Sequence, residues 1–284
     1  MPLDVVDLRN FYAGPLGRVT RRILVETIRD RWNNTSSLAT LGIGYATPYL
    51  GPFQGESERV LAFMPEGQGV VNWPSSGLSS TALVRSTMLP LPDSCIDRIL
   101  VVHALETEES PGEMLSELWR VLTPGGRIIA IVPNRSGFWA RIDSTPFGQG
   151  QPFSRRQLNN LLRDSLFSPI HWAEALYVPP VQRPLFLKSA DVWERMGSIL
   201  PLPVAGVHLI EATKLLYRPM AVSQVRRAQR VMSPVFVPAA VGIWSTCSAD
   251  AATARPTRTA DRLAVALLSA TPRQSRRTAH RRAP

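Results

Sequence analysis

The sequence predicts an α/β domain in which helices cover a doubly wound, mostly parallel sheet. Short apolar segments alternate with helical segments between residues 38 and 217, as in strands joined by crossover helices. The segment Arg98–Ala104 is almost continuously apolar, which is typical of a strand that is buried on both faces of a parallel sheet. The segment Thr40–Ala46 joins an apolar run to a glycine-rich turn, as at the carboxyl end of a first strand.

The glycine-rich turn is the stretch around which the other predictions are arranged. Gly42 and Gly44 follow the apolar run Leu38–Leu41, and the small residue Ala46 comes next. Glycine has no Cβ, so this backbone can adopt positive φ and can be approached closely by a ligand. An ordinary strand-to-helix turn has the same pattern, so the motif alone does not identify a nucleotide site.

Charge is distributed unevenly along the 284 residues. The formal net charge is +10, and residues 218–284, with twelve arginines against Asp250 and Asp261, account for all of it. The remainder is neutral, so the high isoelectric point does not indicate a nucleic-acid-binding face on the folded part. The two cysteines, Cys95 and Cys247, form no C-x-x-C pair, which favours neither a zinc site nor a disulfide framework.

Three regions are expected along the chain. Residues 1–37 form an amino-terminal helical region that packs on the domain or covers its pocket, residues 38–218 form the α/β domain, and residues 219–284 form a basic extension of low order. A leader peptide and an unbroken apolar run of about 20 residues are both lacking, which predicts a cytoplasmic protein. The mixture of Ala, Thr, Ser, Pro and Arg beyond residue 245 predicts disorder there.

Hydrophobic spacing predicts one long helix over Arg9–Trp32, in which Tyr12 has a packing role and not a catalytic one. Capping boxes are predicted at Ser110 with Glu113 and at Ser154 with Gln157. Beyond the first strand, the expected strands are Arg59–Met64, Ser80–Arg85, Arg98–Ala104, Arg127–Val132, Glu174–Val178 and Val207–Tyr217. A short helix is expected over Asp191–Ile199.

Three segments in this order resemble the class I S-adenosylmethionine (SAM)-dependent methyltransferases of the broad type-11 kind. They are Thr40–Ala46, Leu89–Asp97 with the following strand to Glu106, and Leu118–Arg127, which carries the Thr-Pro-Gly-Gly turn. The resemblance covers about Arg9 to Tyr217. It implies a seven-stranded Rossmann-like sheet with an antiparallel last strand. It also implies SAM as cofactor and methyl transfer to a small-molecule acceptor that the sequence does not identify.

The resemblance also implies where the cofactor would lie. Its methionine end would lie over the backbone of the glycine-rich loop, and its adenine between the carboxyl ends of the second, third and fourth strands. The implied cofactor-binding residues are Gly42, Ile43, Gly44, Tyr45, Ala46, Met64, Glu66, Thr87, Met88 and His103.

Several acidic residues that are customary in the family are missing. Met64 stands where the second strand usually ends in Asp or Glu, and Glu66, two residues further on, could take that part. Arg85, Ser86 and Thr87 stand where an acidic residue often follows the third strand. Each lost charge-assisted hydrogen bond costs roughly 1.5–3 kcal/mol, so weak, rearranged or absent cofactor binding is expected.

His103 is the one candidate for chemistry. It lies at the carboxyl end of the fourth strand, where it would line the pocket and could act as a base toward an acceptor hydroxyl or amine. A histidine that merely fills the strand end, with one hydrogen bond satisfied, fits the sequence as well. Glu106, Glu108 and Glu109 are interpreted as an acidic face at the start of a helix. No metal site is predicted, and the catalytic group is otherwise unknown.

Three alternatives to an active small-molecule methyltransferase stay open. The missing acids also fit a catalytically inactive methyltransferase-like binding or scaffold protein. Glycine-rich loops after a first strand also occur in nicotinamide-dependent oxidoreductases, although the Pro-Gly-Gly turn fits that class poorly. A nucleic-acid methyltransferase would depend on the arginine-rich extension alone, because no Asn/Asp-Pro-Pro-Tyr/Phe motif follows the fourth strand. The sequence does not give the oligomeric state.

Overall fold

A computed structural model describes residues 3–199 and 205–216, which lie within one compact unit, Met1–Ser223. The predicted extension 219–284, with its expected disorder, lies outside the described residues. The helices are α1 Val5–Ala13, α2 Pro15–Arg31, α3 Thr47–Leu50, α4 Pro111–Val121, α5 Arg155–Asp164, α6 Pro184–Lys188 and α7 Ala190–Ile199. The strands are β1 Ala39–Gly44, β2 Arg59–Pro65, β3 Thr81–Val84, β4 Ile96–Val102, β5 Leu122–Pro133, β6 Phe167–Ala175 and β7 Val207–Lys214.

The seven strands form one sheet in the order β3-β2-β1-β4-β5-β7-β6. The pairs from β3 to β5 are parallel, whereas β7 runs antiparallel to both of its neighbours, β5 and β6. This confirms the predicted seven-stranded sheet with an antiparallel last strand. The order reverses direction between β1 and β4, and in such sheets the crevice at this point accepts ligands.

Two apolar layers enclose the sheet, and the alternation of side chains along the central strands divides them. Leu100 and Val102 of β4 pack in the layer under α1, α2 and α3. Ile99 and Val101 pack in the opposite layer, under α4 and α5. All four side chains are fully buried, as expected for a strand covered on both faces. The central strands are therefore rigid supports for whatever lies at their carboxyl ends.

The predicted single helix over Arg9–Trp32 is wrong, because the chain forms two helices that meet at Gly14. Gly14 has an extended conformation, and its N–H donates to the carbonyls of Asn10 and Phe11, which closes α1. Pro15 then occupies the first position of α2, where its missing N–H costs nothing. The break allows α1 to lie over the end of the sheet while α2 packs against its face.

Other predicted boundaries need smaller corrections. The sixth strand runs over Phe167–Ala175 and ends where the predicted one begins. It contains Pro169 and a shift in register before His171, features that are confined to edge strands and bulges. Ser110 makes no side-chain cap on α4, so that predicted capping box is wrong, whereas the one at Ser154 and Gln157 is confirmed.

Two features are absent from the described part of the chain. In residues 3–199 and 205–216, no helix is long and apolar enough to cross a membrane. In the same residues, no group of three or more His, Cys, Asp or Glu side chains is placed to hold a metal ion.

Candidate functional site

A cleft of about 690 Å³ opens at the carboxyl ends of β2, β3 and β4. Its rim is mostly acidic: Glu66, Glu108 and Glu109 line it, and Arg85 is the one cation among its lining residues. Ser86, at the end of β3, donates its hydroxyl to the Glu108 carboxylate, which fixes one side of the rim. The cleft is therefore suited to a ligand that carries positive charge or hydrogen-bond donors.

Two buried oxygens at this cleft accept no hydrogen bond from the described residues. They are Oε1 of Gln68 and Oε2 of Glu106, and both residues line the cleft. The other end of each side chain is held, because Gln68 Nε2 donates to the carbonyl of His103 at 2.7 Å and Glu106 Oε1 lies 3.2 Å from His103 Nδ1. Buried polar atoms are normally paired, so this pair of acceptors indicates a place for donors from a ligand.

A hydrogen-bonded chain of four side chains runs from α3 to the cleft. The Tyr49 hydroxyl lies 2.7 Å from the Tyr12 hydroxyl, which lies 2.8 Å from Nε2 of His103. Nδ1 of His103 then faces Glu106 Oε1 at 3.2 Å. All four residues are buried. The chain joins α1, α3 and the end of β4 in one polar network within an otherwise apolar region.

The direction of this chain follows from its ends. We assign the tautomer of His103 in which Nδ1 donates to the Glu106 oxygen, which leaves Nε2 as an acceptor. Burial raises the pKa of Tyr12 well above its ordinary value, and burial also raises the pKa of Tyr49. Both phenols therefore keep their protons, Tyr12 donates to Nε2, and Tyr49 donates to the Tyr12 oxygen.

Local backbone geometry sets the position of His103. Its φ is +53°, in the left-handed region that only a few per cent of non-glycine residues adopt. The ring of Phe147 packs against the imidazole, with 4.6 Å between centroids. The N–H of Gln151 donates to the backbone carbonyl of Glu106 at 2.7 Å, so a loop after β5 holds the other end of the pair.

The two loop glycines are required by close packing. A Cβ on Gly44, whose φ is +77°, would lie 2.2 Å from the carbonyl oxygen of Val102. A Cβ on Gly42 would lie 2.7 Å from both the Ala46 Cβ and Leu50 Cδ1. Gly44 thus allows β1 and β4 to approach where the site begins, and Gly42 makes room for the first turns after β1.

A second cleft, of about 600 Å³, lies beside the loop. Tyr45, Thr47 and Pro48 line it together with Arg9 of α1 and Trp73. Burial raises the pKa of Tyr45. The ring of Tyr12 stacks on that of Tyr45, with 5.5 Å between centroids and an interplanar angle of 22°. Helix α1 therefore covers the glycine-rich loop through an aromatic stack.

The structure brings together only part of the predicted site. Gly42, Ile43, Gly44, Tyr45 and Ala46 form the buried end of β1 and the turn after it. Their contacts with cofactor stay a prediction.

The remaining predicted residues are dispersed. Glu66 lies on the rim of the acidic cleft, whereas the Met64 side chain is fully buried in the core. Thr87 and Met88 line a separate depression next to α4. His103 reaches the cleft only through Glu106 and its own backbone carbonyl. The predicted roles of these residues therefore stay predictions.

Sequence reasoning missed Gln68 and misinterpreted Glu106. Gln68 follows β2 by three residues and is 5 % exposed. Glu106 is 2 % exposed and belongs to the buried pair with His103, so it is not part of an acidic face at the start of a helix. The spacing of His103 and Glu106, three residues apart at the end of a strand, was the signal available for that pair.

The fold and this placement of the cleft agree with the resemblance found in the sequence. A mostly parallel sheet with an antiparallel β7 and a polar cleft at its carboxyl edge is the Rossmann-like architecture of methyltransferases. Residues 72–130 match the sequence profile of a family described as "Methyltransferase domain". This segment includes β3, β4, α4 and most of β5. The predicted resemblance to class I SAM-dependent methyltransferases of the type-11 kind is thereby confirmed.

A curated protein and a solved structure are also similar to this chain. A curated protein of Mycolicibacterium smegmatis, named a probable SAM-dependent methyltransferase, is 38% identical over 71 residues. That match covers 25% of this chain and 26% of the relative, so the chain spans about a quarter of the relative's length. The cofactor predicted for this chain is the one in the relative's name.

The second is a solved structure from Thermotoga maritima, described as a SAM-dependent methyltransferase and possible histamine N-methyltransferase. It superposes with a TM-score of 0.50 at 16% identity over 74% of this chain and 95% of the other. At that identity the likeness shows the fold alone.

Proposed function

We propose that this protein transfers a methyl group from SAM to a small-molecule acceptor. The observation that carries the proposal is the pair of buried, unpartnered oxygens on Gln68 and Glu106 within an acid-rimmed cleft at the carboxyl edge of the sheet. Ligands of open α/β sheets bind at this edge.

The residues present fit the group that the family implies. SAM carries hydroxyl and amino donors, which suit Gln68 Oε1, Glu106 Oε2 and the carboxylate of Glu66. Its sulfonium charge suits a rim with three carboxylates and one arginine. The turn at Gly42–Ala46 is proposed to hold the methionine end, with Tyr45 at its side.

When bound, SAM supplies a methyl group that is already activated by its sulfonium. The protein is then required to align the acceptor and to exclude water. The buried aromatic cover of Tyr12 over Tyr45 shields the glycine-rich loop from water until an acceptor takes its place. No metal is needed for this chemistry.

Isothermal calorimetry with SAM and with its demethylated product tests the proposal. We expect binding of both, and Gln68→Met, which removes one buried acceptor, should weaken it by about 10-fold. Glu58→Gln changes an exposed carboxylate outside the cleft and should leave affinity unchanged. An absence of heat at millimolar ligand would count against the proposal, as would equal affinity in Gln68→Met.

Turnover distinguishes an enzyme from an inactive methyltransferase-like binding protein. Production of the demethylated cofactor with any acceptor excludes the inactive alternative. The probes described below provide the first acceptors to try.

A further inference from the structure

We infer that His103 is the general base of this site and that the acceptor is an aromatic hydroxyl compound. The place where the acceptor ring would bind, called the seat, is occupied in this structure by the Tyr12 side chain. This inference rests on the proposed methyl transfer. It adds a substrate class and a catalytic residue to it.

The first observation is the direction of the hydrogen-bonded chain. The Tyr12 hydroxyl donates to Nε2 of His103 at 2.8 Å, because Nδ1 faces the Glu106 carboxylate. Nε2 is the unprotonated nitrogen, and it already accepts a proton-bearing phenol. A general base must lie within about 2.6–3.2 Å of the atom whose proton it removes. The internal phenol therefore shows that the geometry needed for an external phenol exists.

The second observation is the shape of the seat. The Tyr12 ring stacks on Tyr45 at 5.5 Å and meets Phe11 edge to face at 5.1 Å. The Tyr12 side chain is only 7 % exposed. Stacked and edge-to-face contacts at these distances are the arrangements that aromatic rings prefer. The seat accordingly holds a flat ring with one polar end, and that end points at His103.

The third observation concerns Glu106, which we assign as a positioning residue. Its Oε1 fixes the tautomer of His103, and its negative charge would balance the imidazolium that forms when Nε2 takes a proton. The buried carboxylate of a Ser-His-Asp triad acts on its histidine in this way. Glu106 is itself held in place, because Gln151 N–H donates to its backbone carbonyl at 2.7 Å.

The step balances without a further reactant. As the acceptor oxygen forms its bond to the methyl carbon, the carbon–sulfur bond breaks and its electron pair stays on sulfur. The O–H proton passes to Nε2 of His103. For this to occur Tyr12 has to leave the seat, and Gly14, between α1 and α2, is the place where the helical backbone is interrupted.

A binding experiment tests the seat without turnover. Tyr12→Ala should open a cavity that binds p-cresol, measured by calorimetry, whereas the wild type should bind it at least 10-fold more weakly. Toluene has the same shape without the hydroxyl, and it should bind Tyr12→Ala about 10-fold more weakly than p-cresol does. In Tyr12→Ala/His103→Leu this preference for p-cresol should disappear. Equal binding of toluene and p-cresol to Tyr12→Ala overturns the inference.

A transfer experiment with the wild-type protein keeps the inference testable if Tyr12→Ala does not fold. With SAM present, phenol and catechol should yield methyl ethers, and the size-matched probes aniline and benzoate should not react. His103→Asn should lower kcat by 100-fold or more while the Kd for SAM changes less than twofold. Imidazole added to His103→Gly should restore part of the rate. Glu106→Asp should retain more of kcat than Glu106→Gln when both are measured at saturating SAM, because Glu106 Oε2 is also a proposed acceptor for the cofactor.

The outcomes separate the two proposals. If SAM does not bind, the proposed function fails. If SAM binds but none of the probes is methylated, or aniline or benzoate reacts as fast as phenol, the aromatic-hydroxyl inference fails and the proposed function survives. An unchanged kcat in His103→Asn removes His103 as the base.

Discussion

Two buried carboxylates, Glu211 and Glu106, have opposite surroundings. Glu211, on β7, receives hydrogen bonds from Arg31, Arg127 and the indole of Trp32. Glu106 is as deeply buried, yet one oxygen faces His103 and the other has no partner among the described residues.

Burying a carboxylate is costly unless hydrogen bonds compensate for its lost hydration. The different pairing of the two carboxylates therefore indicates that they have different roles. Glu211 ties α2 to β5 and β7 and leaves no bonding capacity free for a ligand. Glu106 keeps an acceptor free at the edge of a cleft. A saturated buried charge thus indicates structure, and an unsaturated one indicates a site.

The largest effect is expected from Glu211→Leu, which should lower the free energy of unfolding by about 3 kcal/mol. The substitution leaves the two guanidinium groups and the indole N–H without their acceptor. Urea denaturation measures the loss, with Asp191→Asn as a control, because Asp191 forms an exposed ion pair with Arg22 and should cost less than about 0.5 kcal/mol. Equal losses of stability in both variants would mean that burying Glu211 with its partners contributes nothing beyond an exposed ion pair.

Gly44→Ala tests the close approach of β1 and β4 next to the site, and it should lower the free energy of unfolding by about 2 kcal/mol. The new Cβ would collide with the Val102 carbonyl, and φ at +77° is unfavourable for alanine. Gly112→Ala, in α4, meets no atom within 4 Å and should be neutral or slightly stabilising. The same denaturation measurement compares them, and an unaffected Gly44→Ala would show that β1 and β4 can move apart.

His208 is another buried polar residue, and we expect it to make the stability of the protein depend on pH. Burial lowers its pKa below the ordinary 6.5, against the opposing pull of Glu174 at 3.5 Å. The unfolded chain therefore takes up the proton first, so stability is present above about pH 6.5 and falls as the pH is lowered through that value. Thermal unfolding measured from pH 7.5 to pH 5 should show a Tm that falls with pH. His208→Gln should make this fall smaller, whereas the control His171→Gln should leave it unchanged.

The smallest effect on stability is expected from Glu106→Gln, within about 0.5 kcal/mol in the absence of ligand. Glutamine keeps an oxygen for His103 Nδ1 and removes a buried charge that is only half paired. Glu211→Gln is the matched change and should cost clearly more in urea denaturation. If the two variants behave alike, the distinction between the saturated and unsaturated carboxylates is lost.

The residue pattern was sufficient for the central strands because they are buried on both faces, whereas the seven-stranded sheet with its antiparallel last strand was implied by the family resemblance. The nearly continuous apolar run Arg98–Ala104 is typical of a buried strand. The turn Thr123–Gly126 indicated that a further strand segment follows it. Local patterns were less informative at the periphery. The break at Gly14 was masked by apolar residues spaced at three and four on both sides of it, and Pro169 obscured the edge strand that contains it.

The site was harder to predict because its partners are distant in sequence. Gln68 and His103 are 35 residues apart and Tyr12 and His103 are 91 apart, so no local spacing joins them. His103 was identified from its place at a strand end. Glu106 was grouped with Glu108 and Glu109 because the three residues are close in sequence. Only Glu106 is buried, and the amino-acid sequence does not show that difference.

One contact has a practical consequence for handling the protein. The N–H of Val5 donates to the carbonyl of Gln68 at 2.8 Å, and Leu3 lines the acidic cleft. An affinity tag fused ahead of Leu3 would therefore emerge beside the cleft and compete with whatever is meant to enter it. Cleaved and uncleaved preparations of an amino-terminal fusion should therefore be compared before a weak titration is interpreted.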